Sequence, residues 1–480
     1  MGTSRRAALK ALGVAVLGSG VAYGALSMDS SSDADTETGN ETTAATTTAT
    51  VTPTRTATQT ATQTPEPSTW RLTPLAHSTL SSSVGGFSEG VIRADGRYAA
   101  VGTRFSGTGS YLVDVRDPHA PELVHHLPAD DGVTCLDVKF GPQKGLYCRS
   151  NHPAGGTGVE IVDYGFAAGT PRSPRVIGAL NAGGTHNLCV RSDESLVYTV
   201  NYSGDPGEPG MDIWDVSNPH SPRRLGGAGP PGAMHDVVYD SDRKLLHCTY
   251  MGDLFDGYVL LDASNPPNAT EVGRFDYDEH TSYDEVEVGE EAFGGGHYAL
   301  PYPERDLVLV GDERPYGVPG GKHVFDIGWR DGSPENPIPV GFTVSPNAQY
   351  MNSNADDDDD VEKTNEFDWT GHQFDMVPLE DALLLTSGDW HEGTVLYNID
   401  NPTNPHPIDV HKTDKNPVPH PNEQLQAFGG PPMAYSSDYN AKHGFALTSD
   451  LFTGIYTYDI DGISGPNTGT EISTPETDSG

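Results

Sequence analysis

Asp212-Ile-Trp-Asp-Val-Ser-Asn-Pro219 decides how this chain folds. Ile213, Trp214 and Val216 are β-branched or aromatic, the composition of a strand. Asp and Asn bond their own backbone two residues on and Pro fixes φ, so the strand ends in a turn. The phrase recurs as Tyr111-Leu-Val-Asp-Val-Arg-Asp-Pro118, Glu160-Ile-Val-Asp163, Val259-Leu-Leu-Asp-Ala-Ser-Asn-Pro266, His323-Val-Phe-Asp326, Leu396-Tyr-Asn-Ile-Asp-Asn-Pro402 and Tyr456-Thr-Tyr-Asp459. Its anchors, Asp114, Asp163, Asp215, Asp262, Asp326, Asn398 and Asp459, lie 49, 52, 47, 64, 72 and 61 residues apart. A period of this length points to a repeat architecture.

Two apolar runs precede each anchor, as in Met234-His-Asp-Val-Val-Tyr239 and Leu245-Leu-His-Cys-Thr249, and one follows, as in Pro174-Arg-Val-Ile177. Four strands per repeat make a propeller blade. The last repeat lacks its fourth strand, and Trp70-Arg-Leu-Thr-Pro-Leu-Ala76 has the pattern to supply it. The expectation is an all-β, seven-bladed β-propeller over 70–462, its last blade closed by the N-terminal strand. Residues 1–28 read as a Tat-type signal peptide or anchor, 29–69 as a Thr/Ser-rich disordered linker, and 463–480 as a disordered tail. Insertions at 276–293 and 343–369 lengthen two repeats, and the run Asp356 to Asp360 reads as a solvated loop.

The strand-and-turn pattern resembles the LVIVD-repeat proteins, a propeller group of exported microbial proteins, over nearly all of 70–462. The resemblance implies a fold and leaves activity open, because the repeat is structural. Arg116-Asp117-Pro118 and the second and seventh repeats depart from the pattern.

Among the 480 residues, 28 Lys+Arg against 68 Asp+Glu give a net charge of −40. That balance opposes nucleic-acid binding, which needs a basic surface. The 56 Gly and 38 Pro oppose a helical bundle. Acid in such excess, spread over the repeats, is the surface of a salt-adapted, halophilic protein. Arg5-Arg6 before the weakly apolar run Ala7 to Leu26 resembles a twin-arginine export signal. It implies an extracellular or cell-surface protein that meets a membrane only through this segment, if uncleaved. The expected partners are a small molecule or a cell-surface protein, with the chain a monomer. Asn40, Asn201 and Asn268 open N-x-S/T sequons. Cys148 and Cys248, on apolar runs, read as buried thiols.

A second regularity runs through the repeats. Ser88, Cys135, His186, His235, His297, His372 and Ala434 occupy one column at the start of each innermost strand. Four consecutive repeats place His there, around one mouth of the channel. The loops after the second strands reach the same rim and carry His152, Asp253, Asp312, Glu313, Asp389, His391 and Asp450. Neutral imidazoles at fixed geometry suit Cu or Zn. The ligand or metal candidates are therefore His186, His235, His297 and His372, with Cys135, His391 and His152 as further ones. Asp253, Asp312, Glu313 and Asp389 are rim acids.

Three readings stand together here: small-molecule or metal binding at this mouth, a copper-like metal-dependent oxidoreductase, and a cell-surface interaction scaffold whose histidines bond a neighbouring blade's backbone. Whether the chain is an enzyme stays open. The clustered histidines on a propeller distantly resemble selenium-binding protein and methanethiol oxidase, which implies copper. No G-x-S-x-G elbow, H-E-x-x-H pair or phosphate loop occurs.

Overall fold

The computed structural model describes residues 70–81, 86–104, 107–152, 157–252, 254–280, 293–313, 320–348, 370–380, 382–418 and 430–462. The chain divides into two units, Thr69–Gly480 with Met1–Ser19, and Gly20–Ser68. Everything described lies in the first. Residues 1–28, expected as a signal or anchor, the expected linker, the run Asp356 to Asp360 and the expected tail lie outside the described residues. Among those described, no helix is long and apolar enough to cross a membrane.

The 70–462 region is an all-β propeller. Five separate four-stranded sheets span 87–127, 138–181, 188–228, 234–276 and 296–343, each an antiparallel meander in sequence order. The remaining eight strands form one sheet rather than the two expected. Its two meanders, 371–411 and 434–462, are joined by a single parallel pair, Gln373 with Ser436. The two backbones come close at Gly388. A Cβ there would meet the Ser436 nitrogen at 2.8 Å and the Tyr435 carbonyl carbon at 3.0 Å. A bare α-carbon lets the two inner backbones touch.

The first strand of each meander lies inward. In chain order these are Phe87–Ile92, Val138–Phe140, Leu188–Arg191, Met234–Asp240, Gly296–Tyr302, Gly371–Pro378 and Ala434–Asn440. Each touches the next, and the last touches the first, so they close a ring. Carboxylates stitch neighbours together across this ring. Glu89 accepts from Val138 N–H (3.2 Å), Asp137 from Leu188 N–H (2.6 Å), Asp375 from Tyr439 N–H (2.9 Å) and Asp438 from Ile92 N–H (2.7 Å).

Trp70–Ser78 pairs antiparallel with Gly454–Gly462, from Trp70 opposite Gly462 to Ser78 opposite Ile455. The first strand of the described chain thus finishes the sheet of the last. Apolar faces of adjacent sheets make the core. One cluster joins Leu146, Cys148 and Ile161 to Leu188, Val197 and Trp214 of the following sheet. All four cysteines are buried and free. The repeated Asp caps its turn: Asp163 accepts from the N–H groups of Gly165, Phe166 and Gly169, and Asp326 from those of Gly328 and Trp329.

Candidate metal centre

The histidine column falls where the inner strands bulge. Pairing with the second strand skips from Met234 to Asp236, from Gly296 to Tyr298 and from Gly371 to Phe374. The skipped residues include His235, His297 and His372. A bulged residue has no cross-strand partner and its side chain is re-aimed. The same break occurs at Ser88 and Glu89 and at Tyr435. The bulge therefore belongs to the repeat, and its occupant varies.

Side chains of the column, or beside it, reach the bulge carbonyl of the next meander. The Ser88 hydroxyl donates to Cys135 O at 2.9 Å, and Asn187 Nδ2 to His235 O at 2.9 Å. His235 Nδ1 bonds His297 O at 2.9 Å, and His372 Nδ1 bonds Tyr435 O at 2.6 Å. A carbonyl only accepts, so Nδ1 carries the proton in both rings. That assigns a lone pair to Nε2, the tautomer that leaves a ring nitrogen open to a metal. A bond to a neighbouring backbone thus fixes the orientation of each ring.

The rings form a continuous chain. Centroids are 5.2 Å apart for His152 and His186, 4.7 Å for His186 and His235, 4.1 Å for His235 and His297, and 4.2 Å for His297 and His372. All five are buried. His235 Nε2, both nitrogens of His297, His186 Nδ1 and Glu313 Oε1 have no hydrogen-bond partner. Orphaned polar atoms at this depth are rare, and water, an ion or a ligand can answer them.

Among the described residues, His235, His297 and Glu313 bring one ligand atom each within 4.8 Å of one another. His297 Nε2 and Glu313 Oε2 are 3.6 Å apart, too far for a hydrogen bond. Ligands of one tetrahedral ion at about 2 Å sit roughly 3.3 Å apart, so small torsional adjustments would converge all three. Gly295 makes this approach feasible. Its φ is +71°, it accepts from Glu313 N–H at 2.9 Å, and a Cβ there would lie 2.4 Å from Glu313 O.

Burial sets the protonation states. It pushes His235 and His152 down to about 4. His186, His297 and His372 fall well below the usual histidine value for the same reason, assisted by repulsion from neighbouring rings. Burial raises Glu313 to about 7, against the pull of Arg104. The imidazoles are thus neutral at neutral pH, and Glu313 titrates at about 7.

The other sequence candidates separate. His152 borders His186 but lies outside the three-ligand group. The Cys135 thiol, pushed up to about 12 by burial, contacts Asn151 Oδ1 at 3.8 Å and is likewise outside it. His391 sits at φ +61° in the turn after Trp390, its N–H donating to Pro432 O. Asp312 and Asp389 are not free rim acids. Asp312 bonds His323 Nε2 (2.7 Å) within its sheet and Tyr277 OH (3.0 Å) from the turn that ends the preceding meander. Asp389 bonds Lys322 Nζ (3.0 Å), Ser345 Oγ (2.5 Å) and the Tyr397 hydroxyl. Asp450 accepts from Thr413 Oγ1 and Met433 N–H. Asp253 lies outside the described residues. The strand ends at Asp312, whose carboxylate bonds His323, while Glu313 lies just past it beside His297.

Sequence reasoning did not single out Tyr202, Trp390, Tyr435 or Arg104. Tyr202 stacks on His186 (4.5 Å, 16°) and Trp390 on His372 (5.0 Å, 13°), while Tyr435 tilts against His372 at 4.1 Å. Tyr202 and Trp390 follow second strands, as His152 and Glu313 do, and that shared place was the available signal.

No protein-family model matches the chain, and no curated protein matches it. Among solved structures, it is similar to the crystal structure of the Myceliophteria thermophila Cps50 (Swd1) beta-propeller domain. Identity is 8%, the TM-score is 0.51, and the alignment covers 81% of this chain and 100% of that one. The likeness concerns the fold alone.

Proposed function

We propose that this protein binds a divalent transition metal at the inner rim of its propeller through His235, His297 and Glu313. The observation that carries the reading is the convergence of three buried ligand atoms, His235 Nε2 and both His297 nitrogens being without a hydrogen bond. Two imidazoles and a carboxylate suit zinc or ferrous iron and leave a position open, whereas Cu(I) favours sulfur ligands and Cys135 is not in the group. A metal in such a set supplies Lewis acidity to whatever small molecule enters. The chain's own residues orient it: His297 O holds the His235 ring, and Thr249 Oγ1 donates to that same carbonyl at 2.7 Å. His186 and His372 flank the pair and keep water contacts few.

Seven blades are part of this reading, the eight-stranded sheet being two blades that share one bridge. So are export through the Arg5-Arg6 segment, a salt-adapted acidic surface, membership in the LVIVD-repeat group, and a monomer that takes a small molecule at the mouth. The test is metal analysis of folded protein after reconstitution with Zn2+ or Fe2+. Stoichiometric metal that His235→Ala and His297→Ala both lose supports the site, and trace metal in the unsubstituted protein overturns it. The bonds of His235 and His372 to neighbouring carbonyls favour a second reading, a scaffold with structural histidines. That reading predicts loss of stability in the same variants without any change in metal content.

A further inference from the structure

Lys322 of the fifth meander meets Asp389 of the sixth, 67 residues further along the chain. Both side chains are fully buried. The Lys322 ammonium lies 4.5 Å from the centre of the Tyr397 ring and 5.7 Å from that of Phe374. A Cβ on Gly371 would stand 2.2 Å from Nζ, so the bare α-carbon there makes room for the ammonium and leaves none to spare. Lys139 offers a contrast. Its side chain is 25% exposed, and it shares two carboxylates, Glu89 and Asp137, each at 2.6 Å. Lys322 has one carboxylate and no exposure, and burial lowers its hold on the proton. A desolvated lysine of this kind is a nucleophile.

Nζ is 3.0 Å from Asp389 Oδ1 and 3.3 Å from Oδ2. A nitrogen that near to both oxygens is no more than about 3.5 Å from the Cγ between them, the range of a near-attack pair. The Tyr397 hydroxyl touches both partners, 3.3 Å from Nζ and donating to Oδ2. Ser345 Oγ also donates to Oδ2, and Ser387 Oγ to Oδ1, each at 2.5 Å. We propose that Lys322 and Asp389 condense into an intramolecular isopeptide bond, a covalent strut between the two meanders, with the Tyr397 hydroxyl as proton relay. Tyr397 takes a proton from Nζ as it gives its own to Oδ2, which leaves a neutral amine and a carboxylic acid. The Nζ lone pair forms the bond to Cγ, and Ser387 stabilises the charge that gathers on Oδ1. A second proton follows the same route, the Cγ–Oδ2 bond breaks, and its electron pair leaves with water. One ammonium and one carboxylate thus become one amide and one water, with no oxidant or reductant. The exchange removes a buried ion pair, which is costly to keep from solvent. Ser387 answers the oxygen of the new amide, and the Tyr397 oxygen answers its N–H.

The test is a tryptic peptide map of the folded full-length protein by tandem mass spectrometry. The expected result is a branched peptide that joins the Lys322 and Asp389 segments, uncut after Lys322 and lighter than its two parts by one water, about 18 Da. Recovery of both segments only as separate linear peptides overturns the proposal. So does an 18 Da loss confined to the Asp389 peptide, which marks a cyclised aspartate, about the same mass change without a partner. Lys322→Met should lose the branched peptide. If that variant does not fold, the map of the unsubstituted chain decides alone. Tyr397→Phe removes the relay and should leave most molecules unjoined where the unsubstituted protein is complete, since such proton transfer contributes about a hundredfold or more in rate. Equal joining in a folded Tyr397→Phe protein overturns the role given to that hydroxyl.

Discussion

Two buried polar clusters occupy neighbouring stretches of the propeller and behave oppositely. Lys322, fully buried, donates to Asp389, which also takes hydrogen bonds from Ser345, Ser387 and Tyr397. Every strong donor and acceptor in that group is answered from within. His235, His297 and Glu313 are as deeply buried, yet three of their ring nitrogens and one carboxylate oxygen have no partner. Burial and titratable groups alone therefore do not mark a site. What distinguishes the second cluster is unanswered hydrogen-bonding capacity, which in a folded interior is tolerated where a ligand supplies the missing contact.

The largest effect expected from this contrast is at the saturated cluster. Asp389→Ala leaves Lys322 buried without its counter-charge and should cost about 3–5 kcal/mol in urea unfolding. A loss no greater than that of a surface substitution would erase the distinction. At the open cluster the effect should appear only with metal. Zn2+ at about a hundred times its Kd should stabilise the protein by about 2.7 kcal/mol, and His297→Ala should abolish nearly all of that gain. Unfolding curves with and without Zn2+ check both.

Protonation sharpens the comparison further. A metal competes with protons for its ligands. The His235 imidazole is already neutral above about 4, and Glu313 holds its proton up to about 7. Raising the pH from 5 to 7 removes one competing proton, so affinity should climb by up to tenfold per unit and level off above about 7. Glu313→Gln should bind more weakly and lose this slope. A slope that persists in Glu313→Gln, in titrations at several pH values, would assign it to the rings instead. The smallest effect belongs to Cys135→Ser, which should leave metal affinity unchanged because its thiol stands outside the cluster. A sulfur-to-metal charge-transfer band on Co2+ loading, lost in the variant, would return Cys135 to the ligand set.

Much of this was legible in the sequence because the repeat copies itself. The strand-turn phrase gave the meanders, and the unpaired Trp70–Ala76 segment gave the closing strand seen between Trp70–Ser78 and Gly454–Gly462. The histidine column was legible by alignment alone. Its geometry was not, since a bulge is a property of pairing and no residue type announces it. Asp312 and Glu313 stood side by side as rim acids, yet the strand ends between them: Asp312 bonds His323, and Glu313, one residue past the strand, sits beside His297. The merging of 371–411 with 434–462 rests on one parallel pair, Gln373 with Ser436, which no repeated phrase announces. Tyr202, Trp390 and Arg104 share a place just past their second strands, a register that the strand-turn phrase does not reach.

The pairing of Trp70–Ser78 with Gly454–Gly462 has a kinetic consequence. Partners such as Thr73 and Asp459 are separated by most of the chain, so the contact that seals the ring carries the largest loop-closure entropy in the molecule. Folding dominated by such distant pairings is slow. While synthesis proceeds from the N-terminus, the first strand must wait for the last. Until residue 462 emerges, the nascent protein carries two open sheet edges, the places where strands from other molecules add. A charged, self-repelling surface with a net of −40 then guards the polypeptide during the interval in which it is least complete.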